Sequence, residues 1–574
     1  MPKSSKGGSA FSVSKLKDAK CTKREQLDQK LEEIKKEVEG LQSRARELRG
    51  QCNELAPMSI LPPEVLAEIF IIVRNTYSHD GTYDRRWIRV THVCQSWRDL
   101  SLSFPALWSV ISDFTDTKMA HEMLERAQTN PLAYCGRISH QSIPESREQY
   151  KNILARIHQV KSLDLTYDVN AHDRLRKFLV KMATSSTPYL ASIRLAFQDG
   201  NDQHWRYHVL IPNIAFKNAP CLTSVTLERV RLSWRTCFLH RLRLSHLKLC
   251  HINPPPTLEQ IICVLEKMPE LVSLALVRCL PRYNGSDSSQ VHLNYLESLV
   301  LDDELEICER FLAAHLRFPR QAQLRLRCNE NPFQPLFSTS LLSTLAGRLL
   351  GLASDGTLIR RARMGLEFVG SLEIWVATED EVKSNDHSWL LDINVSLDSR
   401  YGLQRRESIA IQTFQAIFLA FPFSGLYSLV LEGGPGFFAD MWDQCCGSLP
   451  HLESIWVQDS FFDGLCSAMG AATYGKVTFP ALKILVLDGI DFVDGWRDPP
   501  FPEIARSRKS LGVPLDEIRF RCCYGLQLEY VEPLQGLIDR IKVNDYPLEG
   551  LGDSYWKEEI ESDIESSQYD DEDL

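Results

Sequence analysis

Residues 271–276 read Leu-Val-Ser-Leu-Ala-Leu, a phrase with apolar residues at its first, fourth and sixth places. The alternation at Leu274, Ala275 and Leu276 indicates a strand that buries one face. The same phrase returns along the chain, so the pattern indicates a repeat and not a single strand. It starts at Val160, Leu190, Leu222, Leu244, Leu296, Val369, Leu390, Leu426, Leu452, Leu482 and Leu515, with a partial member at Leu324 and Leu326.

Helical patterns alternate with these strand phrases. They cover residues 257–268, 307–318, 409–421 and 530–541. Successive phrases start about 21 to 36 residues apart, which is typical of an irregular leucine-rich-repeat solenoid. We therefore expect an α/β fold in which residues 111–545 form such a solenoid.

The middle residue of each L-x-L faces the open, concave surface of the predicted sheet, where a partner would bind. An exposed indole is a common anchor at protein interfaces, although packing against neighbouring repeats explains Trp456 equally well. The arginines fit either phosphate binding or a solubilising role. The candidate substrate-binding residues are Arg194, Lys248, Arg325, Trp456 and Arg519, and other middle positions include Asp164, Thr226, Glu373, Val430 and Val486.

Residues 25–56 carry a heptad repeat. Its apolar residues alternate at steps of four and three, so one stripe of the predicted helix is apolar. The pattern leaves two structures open: a short parallel coiled-coil dimer, or a helix folded back onto its own chain. Gly40 and Gly50 each cost about 1 kcal/mol relative to alanine, so a homodimer would be weak. The heptad stripe consists of Leu27, Leu31, Ile34, Val38, Leu41, Ala45, Leu48, Cys52 and Leu55.

Residues 57–110 indicate a small all-α module, which follows the coiled-coil-like helix. Prolines at 62 and 63 suit a first helical turn, where the missing N–H would have no partner in any case. A polar insert from Arg74 to Arg86 separates this helix from a second one, which starts at about Trp87 and ends before Phe104. The first helix is expected to have one apolar face, formed by Val65, Leu66, Ile69, Phe70 and Val73.

These residues resemble an F-box, in the F-box-like form found in large families of mushroom-forming basidiomycete fungi. The resemblance spans residues 61–108, and those families also have a heptad helix before this module and a leucine-rich region after it. The matching segments are Leu61-Pro62-Pro63-Glu64, Ile69-Phe70, Ile88 to Arg98, and Phe104-Pro105-Ala106-Leu107-Trp108.

The resemblance implies docking to the Skp-type adaptor of an SCF-type cullin-RING ubiquitin ligase. The chain would then be the substrate-recognition adaptor of that ligase, and the solenoid would bind a protein substrate whose identity is unknown. The alternative is a leucine-rich-repeat interaction scaffold without a ligase role, in which these helices cap the solenoid. The resemblance assigns adaptor binding to Leu61, Pro62, Leu66, Ile69, Val93, Cys94 and Trp97, of which Trp97 also suits the core of the module.

The net charge of −10, from 65 Lys and Arg against 75 Asp and Glu, is concentrated at the ends of the chain. Residues 1–24 are predicted to be a disordered basic arm and residues 546–574 a disordered acidic tail. The near-neutral body argues against a nucleic-acid partner.

Pro422 and Gly425 interrupt the uncharged stretch 408–431, so we expect no membrane span.

We expect no enzymatic activity, catalytic residue, cofactor or metal. Residues 470–476 have the spacing of a phosphate-binding loop, but Val477 stands where serine or threonine must hold magnesium.

The chain has 16 cysteines, no Cys-x-x-Cys pair and no apolar signal segment. These features indicate reduced thiols in an intracellular protein of the cytoplasm or nucleus.

Overall fold

The structure is a computed structural model of the chain, and it has a mixed α/β fold. Most of the predicted acidic tail, residues 1–9 of the predicted arm and residues 471–476 of the loop lie outside the described residues. The structure describes residues 10–79, 82–83, 85–112, 117–138, 151–168, 171–198, 208–236, 238–282, 289–329, 339–367, 371–378, 389–397, 402–434, 436–470, 477–492, 500–544 and 546–547.

The chain forms two compact units, Met1–Arg137 with Ser142–Ser162, and Ile138–Gln141 with Leu163–Leu574. The first unit is mainly helical. Its helices are α1 (Ala10–Glu54), α2 (Pro63–Thr76), α3 (Gln95–Ser103) and α4 (Thr117–Ala127), with 3₁₀ turns at Pro57–Ile60, Arg85–His92, Pro105–Trp108 and Ile157–Gln159. Its strands are the antiparallel pair β1 (Ser78–His79) and β2 (Thr82–Tyr83), and the parallel pair β3 (Val110–Ser112) and β4 (Leu132–Ile138).

Aromatic side chains hold the helices of the first unit together. Phe70 of α2 packs on Trp97 of α3 with ring centroids 5.0 Å apart. Trp87 meets Trp108 edge to face at 5.4 Å. The indole N–H of Trp108 donates to the carbonyl oxygen of Ser101 at 2.7 Å, which satisfies the polar atom of a buried ring.

The second helix predicted for this module is in two pieces. A 3₁₀-helix ends at His92, and α3 begins at Gln95. Between them Cys94 has an extended backbone and caps α3, because its Sγ accepts a hydrogen bond from the backbone N–H of Trp97 at 3.4 Å. The apolar spacing continues across this cap, which is why the sequence pattern does not reveal the break.

Helix α1 begins at Ala10, so residues 10–24 are helical where the sequence predicts a disordered arm. Between residues 10 and 39 the chain has neither glycine nor proline and is rich in lysine and glutamate. These residues favour a helix whether or not it is packed against a partner.

The second unit is built on one large sheet in which parallel pairs predominate. A separate parallel pair consists of β10 (Val291–His292) and β12 (Leu316–Arg317). The strands of the large sheet are β5 (Val160–Tyr167), β6 (Ser192–Phe197), β7 (Ser224–Glu228), β8 (His246–Cys250), β9 (Ser273–Val277), β11 (Ser298–Glu304), β13 (Gln323–Asn329), β14 (Arg361–Leu366), β15 (Ser371–Ala377), β16 (Leu391–Ser396), β17 (Ser428–Glu432), β18 (Ser454–Gln458), β19 (Ile484–Asp488), β20 (Glu517–Arg521), β21 (Arg540–Val543) and β22 (Tyr546–Pro547).

Helices lie between many of these strands. A capping box starts the helix Leu258–Glu266: the side chains of Thr257 and Gln260 each accept a hydrogen bond from the backbone N–H of the other residue. The α-helices of this unit are His172–Thr184, Leu258–Glu266, Leu305–Arg310, Thr339–Ser354, Leu403–Ala420, Ala439–Cys445, Asp459–Gly470, Phe501–Ser510 and Leu528–Val531. Shorter 3₁₀ turns are Trp234–Thr236, Phe238–Arg241, Phe423–Gly425 and Glu532–Leu534, and a π-helical turn spans Phe311–His315.

Neighbouring strands from β6 to β13 pair with the middle residues of their phrases aligned. Lys248 lies opposite Ala275, Ala275 opposite Val300, and Val300 opposite Arg325. The flanking leucines, such as Leu274, are buried. Because side chains alternate along a strand, this register places the phrase leucines in the core and the middle residues on the opposite face.

The regular order breaks in the middle of the sheet. The spatial order there is β13, β16, β15, β14 and β17, and β15 is antiparallel to both of its neighbours. The sequence predicts parallel repeats throughout and contains no phrase for β14. Only residues 367–370 separate β14 from β15. A parallel crossover needs a dozen residues or more, so this short connection makes a hairpin.

The last predicted helix, residues 530–541, is wrong. The chain has a short helix Leu528–Val531, a 3₁₀ turn Glu532–Leu534 and then strand β21. Pro533 lies in that turn and Gly536 has a φ of +75°, a conformation that ends helices. Strand β21 then extends the sheet, with Lys542 opposite Arg519.

We expect Tyr167→Phe to destabilise the second unit by about 1–3 kcal/mol. The buried hydroxyl of Tyr167 donates to the carbonyl oxygen of Arg229 at 2.7 Å and accepts from the backbone N–H of Val209 at 3.2 Å. Phenylalanine would leave the Arg229 carbonyl and the Val209 N–H without their hydrogen bonds to this hydroxyl. The shift is measurable as a lower urea midpoint, with the exposed Tyr189→Phe as the control. Equal midpoints for both variants would contradict the expectation.

Candidate functional site

Helix α2 presents apolar residues on two faces. Leu66 and Phe70 are buried, Phe70 with only 1% of its surface exposed, and form part of the aromatic core. Val65, Ile69 and Ile72 follow each other at steps of four and three and share the other face, which we call the α2 stripe. Ile72 is 63% exposed, Val65 is exposed and Ile69 is half-buried.

The chain that enters α2 is also apolar at the surface. Leu55, Met58 and Ile60 are exposed, and Leu61 is half-buried. The 3₁₀ turn Pro57–Ile60 precedes the helix and holds its shape through a hydrogen bond from the Leu61 N–H to the Met58 carbonyl at 3.3 Å. Clustered apolar residues at a surface commonly mark an interaction site.

The structure divides the seven candidate adaptor-binding residues into two groups. Those whose side chains reach the surface are Leu61, Pro62, Ile69 and Val93. The others hold the module together: Leu66 is buried, Cys94 caps α3, and Trp97 is half-buried against Phe70.

Sequence reasoning missed the division of α2 into two faces. Consecutive helical residues are about 100° apart, so Val65 and Leu66 point to different sides of the helix. A count at steps of four and three from Val65 identifies Ile69 and Ile72. The helix is apolar around much of its circumference, however, and periodicity alone does not say which side is the core.

The five candidate substrate-binding residues all belong to one row of the large sheet, which we call the middle row. Arg194 lies opposite Thr226, and Thr226 opposite Lys248. Further along, Trp456 lies opposite Val486, and Val486 opposite Arg519. Adjacent strands are about 4.8 Å apart, so side chains in this row contact those of neighbouring strands.

Arg194 stands at the centre of an ion-pair cluster at one end of the middle row. Its Nη1 lies 3.2 Å from Asp164 and its Nη2 lies 3.0 Å from Glu228. Glu228 also contacts the Lys248 Nζ at 3.4 Å. Burial opposes the charge of Arg194, but Glu228 and Asp164 outweigh it and raise the pKa of the guanidinium. Burial raises the pKa of Asp164, although Arg194 opposes that shift.

The other two arginines are also paired. Arg325 Nε lies 2.5 Å from Asp392 on the neighbouring strand. Arg519 Nε donates to Glu517 at 2.5 Å, and Lys542 reaches the same carboxylate at 3.1 Å. Burial alone would raise the pKa of Glu517, but its bonds to Arg519 and Lys542 hold that pKa below its ordinary value.

Trp456 is half-buried and held at both its edge and its face. Its indole N–H donates to Asp488 at 3.2 Å, and the guanidinium of Arg521 lies 4.9 Å from the ring centroid. These contacts fix the ring in place while part of its surface remains accessible. Trp456 therefore packs against neighbouring strands and still offers a rigid aromatic surface to a partner.

The pairing of the cations limits what the middle row can bind. Arg194, Lys248, Arg325 and Arg519 each contact a carboxylate, so a phosphate at any of them would meet an adjacent negative charge. An open arginine cluster, as phosphate recognition requires, is not formed by these four residues. A protein surface with charges of both signs suits this arrangement better.

Glu373 lies beside the middle row on β15. Its Oε1 accepts a hydrogen bond from the Asn394 side chain at 2.7 Å. Burial, together with the nearby Glu367, raises the pKa of Glu373 to about 7, although Asn394 and Arg363 oppose the shift. Arg363 is itself bonded to Glu432 at 2.8 Å and stacks on Trp375 at 4.7 Å.

Three further properties concern the described part of the chain: metal binding, the state of the thiols and membrane insertion. There, no group of three or more His, Cys, Asp or Glu residues is placed to hold a metal ion. The described cysteines are free, and burial raises the pKa of thiols such as Cys250, to about 11. No described helix is long and apolar enough to cross a bilayer. The uncharged stretch 408–431 contains the end of helix Leu403–Ala420 and most of strand β17.

Comparisons with known proteins leave the family open. No protein-family model matches the chain, and no curated protein matches it. One similar solved structure is the crystal structure of the Rad7 and Elc1 complex in yeast, at 12% identity and a TM-score of 0.20, covering 80% of this chain and 94% of that chain. A TM-score this low does not establish a shared fold, so the likeness supports no functional conclusion.

We expect Glu373→Gln to change how stability depends on pH. Because the pKa of Glu373 is raised to about 7, the folded chain keeps a proton that the unfolded chain releases near pH 4.5. The stability from this proton is fully present below the unfolded pKa and is lost as the pH rises through the folded pKa. Between about pH 5 and 8, the wild-type urea midpoint should therefore fall more than that of Glu373→Gln.

Glu517→Gln is a matched control with the opposite sign. The pKa of Glu517 is lowered, so its contribution is present above the ordinary glutamate pKa and is lost as the pH falls through the folded pKa. This variant should be less stable than wild type at neutral pH and approach it in acid. Parallel pH profiles for wild type and both variants would contradict the assigned shifts.

Proposed function

We propose that this chain is the substrate-recognition adaptor of an SCF-type cullin-RING ubiquitin ligase. In this proposal the F-box-like helices, residues 57–110, dock a Skp-type adaptor of the ligase core. A leucine-rich solenoid within residues 111–545 binds a protein substrate. The observation that carries the proposal is the exposed α2 stripe, on a helix whose opposite face is already packed.

The α2 stripe is apolar without being needed for folding. Phe70 and Leu66 supply the packing of α2 against its own unit. Val65 and Ile72 stay exposed to water and add no buried apolar surface to that packing. Covering such residues is favourable by about 25 cal/mol per Å² of apolar surface removed from water. Anchors at steps of four and three are those that helix-to-helix and helix-in-groove docking uses.

The residues before α2 enlarge this surface. Ile60 and Pro62 are exposed directly before the first turn of the helix. Clustered apolar residues at a surface commonly mark an interaction site, and the F-box resemblance assigns adaptor binding to Leu61 and Pro62 in this segment. Val93 adds an exposed apolar side chain just before α3.

The middle row supports the second half of the proposal. Its ion pairs hold charged groups in fixed positions, as in the Arg194, Glu228 and Lys248 cluster. Fixed charges of both signs select a partner with the complementary arrangement, and like charges exclude other partners. Trp456 supplies a rigid aromatic surface in the same row.

The mechanism would be proximity. The chain supplies no catalytic group in this proposal; it tethers a substrate close to a ubiquitin-conjugating enzyme carried by the ligase core. Tethering replaces a bimolecular encounter by an intramolecular one and so raises the effective concentration of the substrate lysine. A leucine-rich-repeat scaffold without a ligase role remains the alternative, and it requires no adaptor contact at the α2 stripe.

We expect the double variant Val65→Asp/Ile72→Asp to weaken binding to the Skp-type adaptor of the same organism by at least about tenfold, since about 1.4 kcal/mol of lost contact suffices for that factor. Both side chains are exposed, so the fold should be unaffected. The measurement is calorimetry with the full chain, with circular dichroism to confirm folding.

Leu350→Asp is the matched control, because Leu350 is also an exposed apolar residue on a helix but lies in the second unit. It should bind the adaptor like wild type. The double variant Leu61→Ala/Pro62→Ala tests the entry segment in the same way. A folded wild-type chain that does not bind the adaptor would overturn the proposal and leave the scaffold as the better account.

A further inference from the structure

Helix α1 exposes its heptad stripe along its whole length. Among the larger apolar residues from Leu27 to Leu48, exposure ranges from 45% at Val38 to 61% at Leu41. All residues from Leu27 to Glu54 are exposed, so the described part of the chain does not cover the stripe. A stripe of this regularity is built to pack against another helix with the same period.

The steps along the stripe assign its heptad positions. A step of three leads from an a position to the following d position, and a step of four leads from d to the next a. The a positions are therefore Leu31, Val38, Ala45 and Cys52, and the d positions are Leu27, Ile34, Leu41, Leu48 and Leu55.

The sizes of these residues favour an antiparallel pair of α1 helices. In a parallel dimer each residue meets its own copy, so Ala45 would face the partner's Ala45 and leave a gap in the core. In an antiparallel dimer, a positions face d positions. An alignment that sets Leu31 against the partner's Leu48 sets Ala45 against the partner's Ile34, so that a small residue meets a large one.

Charges beside the stripe oppose the parallel arrangement. In a parallel dimer each g residue lies near the e residue five places later in the partner. Lys30 would then face the partner's Lys35, and Arg44 would face the partner's Arg49. Each contact occurs twice by symmetry, and only Lys23 with the partner's Asp28 is attractive among the charged pairs. Like charges at these positions destabilise a dimer.

The same charges complement each other in the antiparallel arrangement. There g residues face g residues and e residues face e residues. In the alignment given above, Glu37 faces the partner's Arg44, and Asp28 faces the partner's Arg49. Both contacts occur twice, and the remaining pairs join lysine to glutamine: Lys30 with the partner's Gln51, and Lys35 with the partner's Gln42. No flanking pair between Leu27 and Cys52 then joins like charges.

We propose that the occupant of the heptad stripe is a second copy of this chain, bound through an antiparallel coiled coil of the two α1 helices. The sequence pattern suggested a parallel dimer or a folded-back helix, whereas the exposed stripe and its flanking charges assign the antiparallel form. The inference is independent of the proposed ligase role, because it uses α1 and not the α2 stripe.

Charge reversal distinguishes the two orientations. In the antiparallel dimer Arg44→Glu would face the partner's Glu37, so the dissociation constant should rise by about tenfold as two attractive pairs become repulsive. Glu37→Arg should weaken the dimer likewise, and the double variant Glu37→Arg/Arg44→Glu should restore it. In a parallel dimer Arg44→Glu would instead tighten binding through the partner's Arg49. Arg46→Glu is the control, because position 46 lies outside the e and g positions.

The measurement is sedimentation equilibrium of the full chain over a range of concentrations. Weaker association of both single variants with recovery in the double variant supports the proposal. Tighter association of Arg44→Glu would overturn it in favour of a parallel dimer. A wild-type chain that stays monomeric throughout would also overturn it and point to a different protein as the occupant of the stripe.

Cysteine cross-linking gives an independent readout. In the antiparallel alignment Cys52 faces the partner's Leu27, and the two Cys52 residues lie about 38 Å apart along the axis. Mild oxidation should therefore cross-link Leu27→Cys as a dimer on a non-reducing gel, and Leu27→Cys/Cys52→Ser should lose that band. A disulfide needs Cα atoms within about 7 Å. A dimer band in wild type that Cys52→Ser abolishes would indicate the parallel form and overturn the proposal.

Discussion

The large sheet depends on one constraint: each strand must bury its apolar residues on the same face as its neighbours do. Leu274 is aligned with Leu247 on one side and Leu299 on the other, and all three are buried. A slip of one residue would turn these leucines to the surface and the middle residues into the core, so burial fixes the register. The order of side chains in every row of the open face follows from this register.

The ion pairs of the open face are a consequence of that alignment. Strands about 4.8 Å apart bring charged middle residues close enough to repel each other unless carboxylates stand between them. Glu228 does this between Arg194 and Lys248, and Glu517 does it between Arg519 and Lys542. The same alignment that buries the core thus arranges fixed charges on a surface suited to a protein partner, as the proposed function requires.

Two helices of the first unit show the opposite situation, in which apolar residues exceed what their own unit can bury. Helix α2 uses Phe70 and Leu66 for its core and leaves Val65 and Ile72 in water. Helix α1 leaves its heptad stripe exposed from Leu27 to Cys52. The two surfaces differ in length and in flanking charge. The α1 stripe spans several heptads, and its flanking charges would complement a second copy in the proposed antiparallel dimer, whereas the α2 stripe consists of three residues.

The sequence by itself determined the elements with a local signal. The L-x-L phrases predict strands β5 to β9, and the proline at 63 predicts the start of α2. The heptads predict the helical stripe of α1. Tertiary structure alone decided the reversed spatial order of β14, β15 and β16 with β15 antiparallel to its neighbours, the choice of the buried face of α2, and the pairing of Arg325 with Asp392. The reason is physical: periodicity records which residues are apolar over a few turns or pleats, whereas the partner that buries or neutralises a side chain comes from a distant part of the chain.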